Sequence, residues 1–290
     1  HATIAYTKGQ ANGQWQAQIT SQQLAGKLYQ EAEHSPLKVA IESLYLPGFA
    51  QQTLDSYGQQ LGHQPEAIPA MQISIEKLYA DDQLLGRWSL ETEPQEQGVR
   101  FNKLDLELKG LHVEGHLDWL QGAQQRSAFT GQLTGANIAQ VLQEWGFSPS
   151  LTSERFKAEL ALQWPSSPLA VSTTDIEGDI YLSFRKGQLK TGDTGSKALR
   201  VIGLLNFDTV GRRLRLDFSD LLGKGLSYDS FKGTFIAQQG VYKTVEPFAL
   251  KGVSSELEFE GQLDLLKGQV DATLLVTMPI TSNLPLAAVL

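Results

Sequence analysis

The sequence has no cysteine. That excludes disulfides, thiol catalysis and cysteine-ligated metals, and it leaves the compartment open. Basic residues are in the minority, with 24 Lys and Arg against 32 Asp and Glu and a net charge of −8. Nucleic-acid binding is therefore not expected, since phosphates call for clustered Lys and Arg. Docking on an anionic leaflet through a basic patch is disfavoured for the same reason. No apolar run approaches the roughly 18 residues of a membrane-spanning helix, and no signal-peptide pattern opens the chain. The polar start at His1 and the apolar run from Leu284 to Leu290 read as the margins of a segment of something longer. An anchor or targeting signal is expected outside it.

What is present is alternation. The 290 residues are 41% hydrophobic and 19% charged, with 27 Gly and 11 Pro, a globular composition. Between Glu256 and Asp264, Leu257, Phe259 and Leu263 alternate with Glu256, Glu258, Glu260, Gln262 and Asp264, and Leu265 continues the apolar series. A strand has a side-chain period of two, so this arm has one apolar and one polar face. Lys267-Gly268 supplies a turn, and Val270, Ala272, Leu274 and Val276 repeat the alternation, which predicts a β-hairpin.

Most of the chain repeats this design. Trp15, Ala17 and Ile19 mark a first strand, and Leu24 to Glu31 and Leu37 to Leu46 two more. Residues 49–70, rich in Gln, read as a linker with a short helix near Gln51 to Tyr57. Strands resume at Met71 to Tyr79, Leu84 to Glu93 and Val99 to Lys109, where Leu104, Leu106 and Leu108 share one side. Leu111, Val113, Leu117 and Trp119 alternate next, with Gly115 marking a bulge or bend. Lys157 to Trp164 is another strand. Ile180, Leu182 and Phe184 precede a Lys186-Gly187 turn, and Leu214, Leu216 and Phe218 follow the same rule. Phe231 to Ala237 and Val241 to Leu250 are joined at Gln239-Gly240. Two helices interrupt the series: residues 137–146, capped by Asn137, and residues 196–207. Short strands separated by frequent turn signals predict an all-β, mostly antiparallel protein with two or three short helices.

No catalytic or metal constellation stands out. His112 and His116 flank Glu114, but zincin order is not met, and on a strand the two rings lie about 13 Å apart. Ser74 to Lys77 and Ser183 to Lys186 match Ser-x-x-Lys, whose chemistry needs a helical turn; on a strand the two residues face opposite sides. Gly223-Lys224-Gly225 lacks the rest of a P-loop. Arg200, Arg212, Arg213 and Arg215 form one basic cluster, read as charge balance, with a headgroup or partner contact as the alternative. The apolar face itself has two readings, the core of a closed barrel or sandwich and an open groove for an apolar ligand.

The segment Ile176 to Leu189, the helix Ala198 to Leu205, Arg213 to Leu226, Tyr228 to Gly233, Gly261 to Leu265, Val276-Thr-Met-Pro279 and Leu284-Pro-Leu286 resemble, in that order, the C-terminal region of the YhdP proteins. These belong to the AsmA-like superfamily, which also includes TamB. Upstream, Leu44-Tyr-Leu-Pro47, Trp145-Gly-Phe147 and Leu162-Gln-Trp-Pro165 are similar too.

The resemblance implies a periplasmic, elongated and twisted sheet rolled into an open hydrophobic groove. Such proteins are anchored in the inner membrane by a segment outside this chain and carry glycerophospholipids to the outer membrane, without cofactor or enzyme activity. Residues 1–290 then form one stretch of groove: N-terminal strands 1–48, the linker 49–70, middle strands 71–165 and an AsmA-like portion 166–290. The candidate lining residues for phospholipid acyl chains are the apolar positions of the clearest strands. They are Leu104, Leu106, Leu108, Val113, Leu117, Ile180, Leu182, Phe184, Leu214, Leu216, Phe218, Leu257, Phe259, Leu263, Leu265, Val270, Leu274 and Val276. A scaffold whose groove takes a periplasmic or outer-membrane protein partner is the alternative, and a glycan-binding module a third.

Overall fold

The two-residue period becomes strands almost throughout. A computed structural model of the chain describes residues 2–9, 13–46, 65–80, 82–122, 125–145, 149, 151–168, 170–189, 226–252 and 256–277. Its strands are β1 (Thr3–Lys8), β2 (Trp15–Thr20), β3 (Leu24–Gln30), β4 (Leu37–Leu46), β5 (Met71–Ala80), β6 (Gln83–Gln95), β7 (Gly98–Leu108) and β8 (Leu111–Gln121). They continue as β9 (Gln125–Gly135), β10 (Leu151–Trp164), β11 (Glu177–Leu189), β12 (Leu226–Gln238), β13 (Val241–Thr244), β14 (Phe248–Lys251), β15 (Glu256–Asp264) and β16 (Gln269–Thr277). All sixteen belong to one sheet, in chain order as far as β13 and then β15, with β14 and β16 each paired to β15. The fold is all-β, as expected.

Pairing is antiparallel wherever a short turn joins neighbours. The tightest turns have both central residues at positive φ, Lys109-Gly110 and Gln239-Gly240, the geometry that matches strand twist in a two-residue hairpin. One pair departs from the pattern. β4 and β5 run parallel, Ile41 beside Ile75 and Leu44 beside Leu78. Parallel neighbours need a crossover rather than a hairpin, and residues 47–70 make that connection. Its described end is a single 3₁₀ turn, Pro65–Ala67, with Pro65 fully buried.

Several local expectations change. β1 and β9 were not foreseen. Lys186-Gly187 is not a turn, because β11 continues to Leu189 with Lys186 at φ 48° as an irregularity inside the strand. The run expected from Val241 to Leu250 is broken at residues 245–247, where Pro247 supplies no N–H for a ladder. The helix α1 (Ile138–Glu144) forms where expected, and the Asn137 side chain accepts hydrogen bonds from the N–H groups of Ala139 at 3.1 Å and Gln140 at 3.4 Å. The short helix near residues 51–57, the helix at 196–207, the arginine cluster and Gly223-Lys224-Gly225 lie outside the described residues.

The chain divides into two compact units. The first comprises His1–Gly135, Lys157–Ile180 and Ala237–Gly240, and the second Ala136–Phe156, Tyr181–Ile236 and Val241–Leu290. In the first, Leu78, Ile75, Ala80 and Leu85 form one buried cluster and Leu104, Phe129 and Trp164 another. Gly86 serves the first of these. It sits at φ 147° opposite Leu78, and a Cβ there would collide with the carbonyl oxygen of Glu107. Gly86→Ala is expected to lower stability by at least about 2 kcal/mol, read as a reduced urea midpoint at unchanged slope.

Candidate functional site

Because successive strands pair in register, apolar positions line up across the sheet as well as along each strand. In the first unit Ile4, Ile19, Gly26, Ile41, Ile75, Trp88, Leu106, Val113 and Leu133 are direct cross-strand partners in turn. This row crosses β1 to β9 and contains no charged residue. At about 4.8 Å per strand it follows the sheet for about 38 Å. A second row on the same face runs Leu37, Met71, Thr92, Phe101, Leu117 and Phe129.

Shifting by one residue turns the face over. The neighbouring row is Gln18, Lys27, Ala40, Ser74, Ser89, Asp105, Glu114 and Gln132. Ion pairs knit this polar side together. Arg100 binds Asp118 through Nε at 2.6 Å and Nη2 at 3.0 Å, Lys103 reaches Glu91 at 2.9 Å, and Arg87 reaches Glu107 at 3.3 Å. His112 lies here as well, its Nε2 3.0 Å from Asp105 Oδ1. Asp118 holds the Arg100 guanidinium above its already high pKa, by hydrogen bond first and by charge second. The pair is half-exposed, so Arg100→Gln is expected to cost under about 1 kcal/mol, less at high salt, in a denaturant titration.

The apolar face is covered unevenly. Toward the strand ends it is sealed by turns. Thr92 Oγ1 donates to the Pro69 carbonyl at 2.6 Å and accepts from the Met71 N–H at 2.8 Å; Ser127 Oγ donates to the Ser166 carbonyl at 2.7 Å. Trp164 Nε1 donates to the Ser167 carbonyl at 2.9 Å. Val99, at 0% exposure, and Trp119 are buried in the same region. Along the middle, Ile75 is buried, but Ile41, Trp88, Leu106, Val113 and Leu133 are only half-buried. Among the described residues, no other sheet and no helix longer than α1 is present to lie over them.

The second unit has apolar rows of its own, richer in aromatic residues. Phe231, Leu250, Leu257 and Val276 form one row by register, Phe248, Phe259 and Leu274 the next, and Tyr242, Leu263 and Val270 a third. Ring contacts link Phe156 to Phe184 at 6.3 Å, Phe184 to Phe231 at 5.8 Å, Phe231 to Phe248 at 4.4 Å and Phe248 to Phe235 at 5.1 Å. Tyr228 donates its hydroxyl to the Thr152 carbonyl at 2.6 Å; burial pushes its phenol well above the ordinary range and raises that of Tyr242 as well. Both remain neutral.

The residues singled out from sequence are thereby placed. Leu106 faces Val113, Leu104 lies opposite Gly115, and Leu117 sits between Phe101 and Phe129. Leu257, Phe259 and Leu263 pair with Val276, Leu274 and Val270. Leu104 and Phe184 are buried; Leu106, Leu108, Val113, Leu117, Ile180, Leu182, Leu257, Phe259, Leu263, Val270 and Leu274 are half-buried. Leu265 is half-buried in the turn after β15. Leu214, Leu216 and Phe218 lie outside the described residues. In the first unit Ile41, Ile75, Trp88, Phe129 and Leu133 share the face without having been named as lining, although alternation in β4, β5 and β6 carried the signal of the first three; in the second unit Phe231 and Phe248 were likewise not named as lining. Among the described residues no group of three His, Asp or Glu is placed to hold a metal, and no helix is long and apolar enough to cross a membrane.

The family model described as YhdP protein matches residues 2–290. A curated relative, the intermembrane phospholipid transporter YhdP of Escherichia coli (strain K12), is 24% identical over 186 residues. The match covers 64% of this chain and 14% of that protein. No solved structure matches.

Proposed function

Starting from a chain that belongs to the YhdP family, we propose that its apolar sheet face is a track for the acyl chains of glycerophospholipids. The chain would be one periplasmic stretch of a longer groove that carries lipid from the inner to the outer membrane, anchored by a segment outside it. The observation that carries the reading is the row from Ile4 to Leu133 without a charged residue, half-exposed along its middle except at the buried Ile75 and backed by an ion-paired polar face.

The energetics suit the task. Each CH₂ moved out of water gains about 0.8 kcal/mol, so a 16-carbon chain gains about 13 kcal/mol. Crossing an aqueous compartment means overcoming roughly that barrier for each chain, and a continuous apolar surface removes it. The row runs across the strands, so lipid would advance from strand to strand while its headgroup stays in water. A uniform row gives it no deep trap. No acid, base or nucleophile is needed.

Native mass spectrometry of the purified protein, with identification of extracted lipids, tests the proposal. Co-purifying phospholipids, lost in a folded Leu263→Asp variant, are expected. A folded protein free of lipid would instead make the face a core or a seat for a protein partner.

A further inference from the structure

Among the described residues of the first unit, four buried polar atoms have no partner: Trp88 Nε1, Trp119 Nε1, Gln121 Oε1 and Gln125 Nε2. All four belong to the apolar face. Trp88 lies opposite Leu106; Trp119 lies between Val99 and Ser127, and Gln121 is the direct partner of Gln125. More than nine in ten buried polar groups in proteins are paired. A buried donor left without an acceptor loses the whole of its hydration.

Three of these atoms fall on two rungs of the β8–β9 hairpin. Trp119 and Gln121 are two residues apart on one strand, about 7 Å, and Gln121 and Gln125 face each other across about 5 Å. The arrangement offers donor, acceptor and donor at the edge of the row that ends in Leu117 and Phe129. The nearby cations lie on the other face: Arg100 is held by Asp118, and Arg126 is paired in register with Leu120. Neutral donors without a cation suit an uncharged acceptor better than a phosphate.

We infer that Trp119, Gln121 and Gln125 form a polar station on the apolar face for the ester groups that join acyl chains to glycerol. The inference rests on the lipid reading above. The Trp119 indole N–H and one Gln125 amide N–H donate to ester carbonyl oxygens, and the Gln121 carbonyl turns to accept the second N–H of its register partner Gln125. The acyl chain then lies along Leu117 and Phe129. Trp119 is 4% exposed, so the ester must displace cover to reach it. Since every diacyl glycerolipid has these esters, the station holds lipid in register without choosing among headgroups.

Indole N–H resonances in two-dimensional NMR read this directly. Trp15 and Trp164 already donate to Gln30 and Ser167 and serve as controls. The probes are dihexanoylphosphatidylcholine, with two esters, and its dihexyl ether analogue, with none. The ester lipid is expected to bind about three- to tenfold more tightly and to move the Trp119 resonance while Trp15 and Trp164 stay in place. Trp119→Phe should remove most of the preference; Gln125→Leu, at a half-buried position, should reduce it too and keeps the test open where the ring change compromises folding. Equal binding of the two probes with Trp119 unmoved would overturn the station and leave the lipid track standing. Failure of both to bind would overturn the track with it.

Discussion

Val113→Asp and Leu263→Asp are expected to leave the protein folded and to abolish lipid carriage, whereas Val99→Asp should unfold it. Val113 and Leu263 are half-buried on the apolar face, so a carboxylate there keeps part of its hydration. An acyl chain sliding over it must strip that hydration, a barrier of about 3 kcal/mol or more, which slows passage about a hundredfold or beyond. Val99 is fully buried between Pro94 and Trp119. A carboxyl group there must be held neutral at pH 7, about 3 units above its ordinary pKa, which costs about 4 kcal/mol before the neutral group's own desolvation is added. That is comparable to the whole stability of many domains. Circular dichroism with urea titration, beside vesicle-to-vesicle transfer of a labelled phospholipid, separates the outcomes. Unfolding of Val113→Asp would mean that the middle of the face is sealed core.

The second large effect concerns the aromatic unit. Phe248 is buried, stands edge-on to Phe231 and lies against Phe235, over a backbone where Gly233 leaves room for its ring. Phe248→Ala removes the central member of that chain of rings and is expected to cost about 3–5 kcal/mol. The loss should appear as a fall in melting temperature. A change below about 1 kcal/mol would mean that the neighbouring rings close over the gap.

Residues 256–277 show how much of the fold can be read locally. Alternation placed Leu257, Phe259 and Leu263 on one face, and their partners Val276, Leu274 and Val270 follow from the turn alone. β9 shows the reverse. Its inward positions are Ser127, Phe129, Gly131 and Leu133, too few of them apolar to stand out, and it becomes a strand because β8 offers it an edge. The parallel β4–β5 pair was likewise illegible, since each strand reads correctly by itself and only the crossover decides their direction. Leu265 shows the limit of alternation, which continues past Asp264 although the strand does not.

The candidate site was legible as a face but not as a surface. Period two assigns each side chain to one side of its own strand. Only register shows that Ile41, Ile75, Trp88 and Leu106 adjoin one another across four strands. Nor could sequence give the unpaired Trp119 and Gln125 atoms, because a missing partner is a property of tertiary surroundings.

The most direct measurement uses the period of two itself. A photo-activatable amino acid is placed singly at residues 104 to 108 of β7 in the cell, and covalently captured lipid is identified by mass spectrometry. Leu104, Leu106 and Leu108 share the apolar face, whereas Asp105 and Glu107 share the ion-paired one. The account predicts phospholipid adducts at 106 and 108, weaker ones at the buried position 104, and none at 105 or 107. Adducts of equal yield at all five positions, or adducts to protein alone at the apolar ones, would contradict it.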